Sequence, residues 1–376
     1  MRDIRTDLHD VHADVVGSLL RTPELLQAQQ ELEAGRLTQA AFKVVEDRAV
    51  DEAIALQEEA GMPVVTDGEQ RRLSFQSQLP AAVEGFGEWD IDAFLWGDWK
   101  GDEEVGDWSR ERPRQLGVTG KLRRKRHLSV EEFVYLRGRT TRIPKITLPS
   151  PSLWVNFWSP EHSGDAYPTL DSFLADVVDI LREEVEELVR LGATYIQIDA
   201  PHYPLLLDRR TREFYESQGW TVEQYLQRGI EMDNAVIGDF PNVTFSFHLC
   251  RGNQGSRWLA EGGYELISKP IFRGIKADRL MLEYDDERSG TFEPLQDVPD
   301  DKMVVLGLVT TKSPRRETVD GLSQQIEEAA NYFPREQLAL SPQCGFATSV
   351  VGNALDVDDE AYKLRTIVEA AEAVWG

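Results

Sequence analysis

The chain repeats one pattern about eight times: a short apolar run, a turn, and then a longer amphipathic segment. Short runs rich in β-forming residues, followed by longer runs with apolar residues every three or four positions, predict strands that alternate with helices. Parallel strands joined by right-handed helical crossovers close naturally into a barrel. The predicted fold class is therefore α/β, a single (β/α)8 TIM barrel. An open doubly wound sheet is the alternative, but no G-x-G-x-x-G follows any predicted strand.

The predicted elements are spread along the whole chain, so we expect residues 1–376 to form one domain. The predicted strands are His12–Val16, Pro63–Thr66, Lys145–Leu148, Tyr195–Asp199, Val243–Cys250, Arg279–Tyr284, Met303–Val309 and Gln337–Ser341. The clearest helical patterns are Ala41–Ala60, Leu170–Leu191, Leu322–Tyr332 and Glu360–Val374.

Residues 76–143 interrupt this alternation and are predicted to be an insertion after strand 2. Four tryptophans lie in it among acidic residues and glycines: Trp89, Trp96, Trp99 and Trp108. A basic run, Lys121–Arg126, follows them and is expected to form a solvated hairpin. An insertion at this point of a barrel lies on the C-terminal face, where it can act as a wall or lid over the site. Alternatively, the aromatic rings only anchor a long excursion onto the barrel.

Charge and cysteine content restrict the class of function. The chain has 41 Lys and Arg against 66 Asp and Glu, a net charge of −25. Such a surface repels phosphate backbones, so nucleic-acid binding is not expected. No stretch approaches the roughly 18 apolar residues of a membrane span, and the first residues lack the apolar run of a secretory signal. The small number of cysteines, Cys250 and Cys344, favours a reducing, cytoplasmic compartment.

Four side chains suited to metal binding occur in or after the later predicted strands. His248 and Cys250 are two residues apart on one strand, so both point the same way and can reach one zinc ion. Glu283 lies inside an otherwise apolar run, and Cys344 follows the last strand. In one barrel, all four converge on the C-terminal rim and predict a zinc site. The alternatives are a structural ion pair for Glu283 and an inert buried thiol for Cys344.

Six segments, in order, resemble the cobalamin-independent methionine synthase family, specifically its C-terminal catalytic barrel within the uroporphyrinogen-decarboxylase-like superfamily. They are VVGSLLRTPELL, VTDGEQRRLSF, LVRLGATYIQIDAP, FHLCRGN, LMLEYDD and LSPQCGFAT. The resemblance covers nearly the whole chain outside the insertion. It implies a (β/α)8 barrel with a catalytic zinc held by one His, two Cys and one Glu, which map onto the four residues above.

The resemblance also implies a pocket for homocysteine. Gly17 and Ser18 of the V-G-S turn would contact the substrate, and Glu69 and Asp199 would lie near its ammonium group, since fixed carboxylates hold a cation well. The alternatives are a plain turn residue for Ser18 and a helix cap or loop ion pair for Asp199. Trp158 stands where the family has an aromatic residue near the methyl donor, and a core tryptophan is an equal alternative.

The reaction implied is methylation of homocysteine to methionine, in which a zinc-bound thiolate attacks methyltetrahydrofolate or a methylcorrinoid protein. Two other functions stay open. One is a related zinc alkyltransferase that uses another thiol, as the epoxyalkane–coenzyme M transferases do. The other is a non-catalytic zinc-binding barrel. Association into a homo-oligomer is also left open.

Three departures from the family leave the methyl donor undecided. The full-length enzymes carry a second, N-terminal barrel that helps hold folate, and this chain is not expected to have one. Lys312 stands where the family has a histidine thought to deliver a proton to the departing folate. It could meet an anionic substrate group or lie on the surface. Ala200 replaces the second acid of the family's I-D-E-P loop.

Overall fold

The computed structural model describes residues 8–88, 99–101, 116–217 and 219–376. Trp89, Trp96 and Trp108 lie outside the described residues. The strands are β1 Val64–Val65, β2 Val83–Glu88, β3 Leu116–Arg124, β4 Ile143–Pro144, β5 Ile146–Pro149, β6 Tyr195–Asp199, β7 Thr244–Leu249, β8 Arg279–Glu283, β9 Met303–Val309 and β10 Leu338–Pro342. The helices are α1 Pro23–Glu33, α2 Gln39–Glu59, α3 Gln78–Ala82, α4 Val130–Arg139, α5 Pro160–Ser163, α6 Leu170–Arg190, α7 Arg209–Ser217, α8 Val222–Ile237, α9 Ser268–Gly274, α10 Val319–Ala329 and α11 Val357–Trp375.

A six-stranded parallel sheet with the order β10-β9-β8-β7-β6-β5 is the centre of the fold. Every residue of β6, β8 and β9 is buried, as expected for parallel strands that are covered on both faces. Helices follow the strands, which confirms the predicted α/β class. No helix in the described part of the chain is long and apolar enough to cross a membrane.

Parallel pairing continues beyond both edges of the sheet. At one edge, Ala13 forms a parallel bridge with Leu340 of β10. At the other, β4 directly precedes β5 and pairs in parallel with β1. The segments that follow Ala13 and β1 are joined to each other, because the Leu19 N–H donates to the Gly68 carbonyl at 3.0 Å and the Thr66 hydroxyl donates to the Gly17 carbonyl at 2.5 Å.

The predicted and observed elements differ mainly at their ends. The predicted strand at residues 12–16 forms only the isolated bridge of Ala13. The predicted helices are all present, and the last two begin three residues earlier than their apolar period indicates. The reason is capping: Thr318 accepts a hydrogen bond from the Gly321 N–H, and Asp356 accepts one from the Asp359 N–H. Such side chains satisfy the free N–H groups of a first turn whatever its hydropathy.

The segment 76–143 contains α3, α4 and the antiparallel strand pair β2–β3. The basic run does not form a hairpin of its own, because Lys121–Arg124 are the end of β3 and pair with β2. The strand pair β2–β3 packs against the hydrophobic core through Phe86 of β2, whose ring centre lies 5.6 Å from that of Trp154. Lys100 forms an antiparallel bridge with Trp258 in the loop after β7. The segment therefore touches the loop that follows the H-x-C strand, and its role as a wall or lid stays a prediction.

A buried ion cluster joins the first segment of the chain to β5, β6 and β8. The Lys145 ammonium donates to Asp14 Oδ1 at 3.0 Å and to the Val15 carbonyl at 2.5 Å. The Tyr195 hydroxyl donates to Asp14 Oδ2 at 2.5 Å, and the Arg279 guanidinium lies 3.8 Å from the same oxygen. Lys145 and Asp14 are both fully buried, so each charge depends on the other for compensation.

Candidate metal centre

The predicted site residues meet where the parallel strands end. Asp199 and Glu283 are the last residues of β6 and β8, and His248 lies one residue before the end of β7. His248 is in register with Asp199 on the neighbouring strand. Cys344 comes two residues after β10. The carboxyl ends of parallel strands form one edge, which is the edge that carries the active site in α/β barrels and open sheets.

Three of the four predicted metal ligands form one cluster. The ligand atoms of His248, Cys250 and Cys344 all lie within 4.8 Å of one another, and all three residues are buried. No nitrogen or oxygen atom of the described residues forms a hydrogen bond with either ring nitrogen of His248, and the group that favours its charge most is the Cys250 thiol. An unpaired polar group in the interior costs about 1–3 kcal/mol, so the geometry fits a bound ion that accepts an imidazole nitrogen. Two thiolates with imidazole are a donor set typical of zinc.

The two thiols differ in how readily they lose a proton. The Cys344 thiol donates a hydrogen bond to Cys250, which holds the pKa of Cys250 well below its ordinary value, and the nearby His248 acts in the same direction. The same hydrogen bond, together with burial, raises the pKa of Cys344. Of the two thiols, Cys250 is the one whose neighbours favour loss of its proton. A thiolate is the form in which cysteine binds metal.

Glu283 is not part of this cluster, because its carboxylate is held by cations of the chain. Oε1 accepts hydrogen bonds from Arg288 at 2.5 Å and from Lys312 at 3.1 Å, and Oε2 accepts one from the Arg251 N–H at 2.7 Å. Although burial opposes its charge, Lys312, Arg288 and Arg251 hold the pKa of Glu283 below its ordinary value. Glu283 still acts on the thiols, because its negative charge raises the pKa of Cys250.

Lys312 is buried, with 5% of its surface exposed, so the expectation of a surface position does not hold. Its ammonium meets two carboxylates of the chain, Glu283 and, at 3.4 Å, Asp285. Arg288 bridges the same two carboxylates. Lys312 therefore acts on the charge of the candidate metal centre, and a contact of Lys312 with a substrate anion stays a prediction.

Asp199 faces the cluster from the neighbouring strand. Its Oδ1 accepts a hydrogen bond from the Gln197 amide at 2.7 Å. Burial raises the pKa of Asp199 to about 7, while the adjacent His248 favours the ionised form. Because these two effects oppose each other, a cation that comes close to Asp199 would favour its ionised form.

Glu69 is held in an unusual backbone conformation after β1. Its φ is +53°, a left-handed value that is uncommon for a residue with a side chain. Oε1 accepts hydrogen bonds from the Thr147 hydroxyl at 2.6 Å and from Arg72 at 3.4 Å, whereas the buried Oε2 has no partner. A Cβ on Gly17 would lie 2.9 Å from Glu69 Oε1, so glycine is required there. The carboxylate is thus fixed through one oxygen, and the other is free to accept.

Ser18 is packed against the loop that carries Cys344. Its carbonyl accepts a hydrogen bond from the Phe346 N–H at 2.8 Å. A Cβ on Gly345 would overlap the Ser18 hydroxyl and lie 3.1 Å from its Cβ. The turn with Gly17 and Ser18 therefore packs directly against the turn with Cys344 and Gly345. This close contact leaves no room for a side chain at the residue after Cys344.

We expect Gly345→Ala to lower the free energy of unfolding by about 1–3 kcal/mol, because a methyl group in a fully packed site forces its neighbours to move. The adjacent Cys344 should move as well, so zinc should also bind more weakly. Thermal unfolding and competition with a chelator measure the two effects. Gly138→Ala is the control, since Gly138 lies in the last turn of α4 and a Cβ there has nothing within 4 Å, so the free energy of unfolding should change little. Unchanged metal affinity in Gly345→Ala would contradict the expectation.

Trp158 lies apart from these contacts. Its indole N–H donates to the Tyr167 carbonyl at 3.0 Å, and its ring is partly buried against the core. These contacts agree with the alternative of a core tryptophan, and a role toward the methyl donor stays a prediction.

Three residues that shape the site were missed from the sequence: Arg72, Thr147 and Arg288. Arg72 and Thr147 contact Glu69, and Arg288 contacts Glu283. Arg288 offered a signal, because the acidic run EYDDER follows an apolar strand and ends in a cation. Arg72 and Thr147 offered none that spacing alone could reveal.

Comparisons with known proteins agree on one family. Residues 12–373 match the family model described as cobalamin-independent synthase, catalytic domain. The protein YxjG of Bacillus subtilis (strain 168) is 35% identical over 369 residues, covering 96% of this chain and 94% of that protein. A methionine synthase of Pyrococcus abyssi is 26% identical over 88% of this chain and 85% of its own length. The fold resembles a B12-independent methionine synthase from Shewanella sp. W3-18-1, with a TM-score of 0.70, 21% identity, and coverage of 97% and 98%.

Proposed function

Because the chain belongs to the cobalamin-independent methionine synthase family, we propose that it methylates the thiol of homocysteine to give methionine, with zinc as its metal. The relatives make it an enzyme of the 5-methyltetrahydropteroyltriglutamate–homocysteine methyltransferase type. The observation that carries the proposal is the buried cluster of one imidazole and two thiols within 4.8 Å. His248, Cys250 and Cys344 would hold the ion, with Glu283 as the fourth ligand.

Zinc supplies one thing to this chemistry: it lowers the pKa of a coordinated thiol, so that homocysteine sulfur is a nucleophilic thiolate at neutral pH. The chain's own residues would bind and orient the amino-acid part of the substrate. Glu69 has an unpaired buried oxygen and Asp199 gains from a nearby cation, so both suit the substrate ammonium group. The turn at Gly17 and Ser18 would form the adjacent wall, because it packs against both Glu69 and the loop of Cys344.

Glu283 favours a catalytic metal over a closed structural one. A structural zinc site keeps four protein ligands, whereas a catalytic site needs a position that a substrate can take. In this chain, Lys312, Arg288 and the Arg251 N–H already satisfy the Glu283 carboxylate. The Glu283 carboxylate would therefore stay compensated by these groups whether or not it contacted the ion. The same arrangement argues against the non-catalytic barrel considered from the sequence.

We also propose that the fold is a closed (β/α)8 barrel of one domain, with 76–143 inserted after its second strand. The continuous parallel pairing from Ala13 through β10 to β5, and then from β4 to β1, supports closure. The hydrogen bonds between residues 17–19 and 66–68 lie where the first and second strands of a closed barrel would meet. The two free cysteines inside one cluster support the proposed reducing, cytoplasmic compartment.

The decisive experiment uses the zinc-loaded protein with homocysteine and one of two methyl donors, methyltetrahydrofolate or methylcobalamin, and measures methionine. We expect methionine with one donor and not the other, which also identifies the donor. A third reaction replaces homocysteine with coenzyme M. Methylation of coenzyme M alone would overturn homocysteine as the substrate, and zinc-bound protein that is inactive with every donor and thiol would favour a structural metal.

We expect homocysteine to release about one proton per site when it binds, because a thiol must lose its proton to coordinate zinc. Calorimetry in buffers of different ionisation enthalpy measures the number of protons released. Serine, which has the same amino-acid groups but no thiol, is the control and should release none. Binding of homocysteine without proton release would contradict a thiolate bound to metal.

A further inference from the structure

Arg72 is the buried cation that links Glu69 to the inserted segment. Its side chain is 1% exposed. Nη1 donates to the Thr147 hydroxyl at 2.8 Å and lies 3.4 Å from Glu69 Oε1, while Nη2 donates to the Thr147 carbonyl at 2.9 Å. The Thr147 hydroxyl then donates to Glu69 Oε1 at 2.6 Å. One oxygen of Glu69 is thus fixed both directly and through Thr147.

The other side of Arg72 is held by Glu132, the third residue of α4 in the inserted segment. Nη2 donates to Glu132 Oε2 at 2.6 Å and Nε to the same oxygen at 3.1 Å. Glu132 is itself fixed, because the Gln78 amide donates to its Oε1 at 2.6 Å. Glu132, Arg72 and Glu69 are all nine-tenths buried or more, so little solvent screens this chain of charges.

We propose that Arg72, anchored by Glu132 of the inserted segment, is a positioning residue that fixes the Glu69 carboxylate for the ammonium group of the substrate. The inference rests on the proposed function, in which Glu69 binds that group. It gives the insertion a defined part in amino-acid recognition, although Glu132 is 63 positions away from Glu69 along the chain.

Two properties of the geometry support a positioning role. Only a planar guanidinium can donate to Glu132 along one edge and to Thr147 and Glu69 along another, which a lysine ammonium cannot reproduce. Glu69 also has the strained left-handed backbone, with φ at +53°, and a residue held in that region needs surrounding contacts to keep it there. Without Arg72 in place, the Glu69 carboxylate would keep, of the residues that the structure describes, only the Thr147 hydroxyl as a hydrogen-bond donor, and its unpaired oxygen Oε2 would no longer be held in one position.

The test measures binding of two thiols to the zinc-loaded protein by calorimetry: homocysteine and 4-mercaptobutyrate, which lacks only the amino group. In Glu132→Gln and in Arg72→Lys, we expect the Kd and KM of homocysteine to rise about tenfold or more, since a charged hydrogen bond contributes about 1.5–3 kcal/mol. The kcat at saturation and the Kd of 4-mercaptobutyrate should stay within about twofold, because the metal and its thiol site are unchanged.

Glu84→Gln is the matched control. It removes the same charge from the same inserted segment, but its partner Arg123 is exposed, so neither thiol should bind differently. Equal weakening of both thiols in Glu132→Gln and Arg72→Lys would mean general damage and would overturn the positioning role, as would unchanged homocysteine binding. Glu69→Gln separates the two proposals. If it leaves the preference for homocysteine over 4-mercaptobutyrate intact, the ammonium role of Glu69 is wrong and the inference falls with it. If it abolishes that preference while the other two variants keep it, only the positioning role is wrong.

Discussion

Cys250→Ser is expected to lose most of its bound zinc and to lower the rate of methyl transfer by about a thousandfold or more, because a metal ion contributes several kcal/mol to a reaction of this kind. Cys250 is the thiol of the pair with the lowered pKa, and a serine hydroxyl is a far poorer zinc ligand. Elemental analysis of the purified variant measures the metal, and methionine formation measures the rate.

Ser246→Ala is the control for this variant. Ser246 lies on β7 two residues before His248 and is buried on the same face of the strand, so any general damage to β7 should appear there as well. We expect it to keep its zinc. A Cys250→Ser protein that is folded, free of zinc and fully active would remove the metal from the proposed function.

Lys145→Met is expected to lower the free energy of unfolding by about 3–5 kcal/mol, which is the usual effect of removing one partner of a buried ion pair. The Asp14 carboxylate would still accept hydrogen bonds from the Tyr195 hydroxyl and from the Val15 N–H. It would lose the only cation that touches it closely among the described residues, since Arg279 lies at 3.8 Å. Denaturant unfolding measures the difference.

The double variant Asp14→Asn with Lys145→Met provides the internal control. Removing both charges leaves no buried carboxylate at this site without a close cation, and Arg279 keeps its hydrogen bonds to the Leu8 and Val11 carbonyls, so the double variant should be more stable than Lys145→Met alone. If the two are equally unstable, the loss comes from packing and not from charge.

The α/β class and most strands could be predicted because burial on both faces leaves uninterrupted apolar runs, as in β9, where all seven residues are buried. The short segments at residues 12–16 and β1 were less predictable. Their place in the sheet depends on partners that are distant in sequence, such as Leu340 for Ala13. The basic run was predicted to be a hairpin but forms the end of β3, and neither its pairing with β2 nor the contact of Phe86 with Trp154 could be read from any local pattern.

The metal cluster was predictable for a simple geometric reason: alternate residues of a strand share a face, and strand ends share an edge. His248 lies in β7 and Cys250 directly follows that strand, two residues later and on the same face. Cys344 follows β10 and so lies at the same edge of the sheet. The position of Glu283 at the end of a strand was predicted, but its ion pairs with Lys312 and Arg288 were not. Those contacts depend on how the loops after β8 and β9 lie relative to each other, which no spacing in the sequence records.

The spread of the cluster along the polypeptide affects how the protein is made. His248 and Cys250 leave the ribosome before the segment with Cys344 has been synthesised. A nascent chain that stops short of β10 would therefore offer zinc only part of its ligand set. Binding of the proposed ion through all three side chains would therefore have to wait until β10 is made, and we expect a prematurely terminated product to fail to retain zinc.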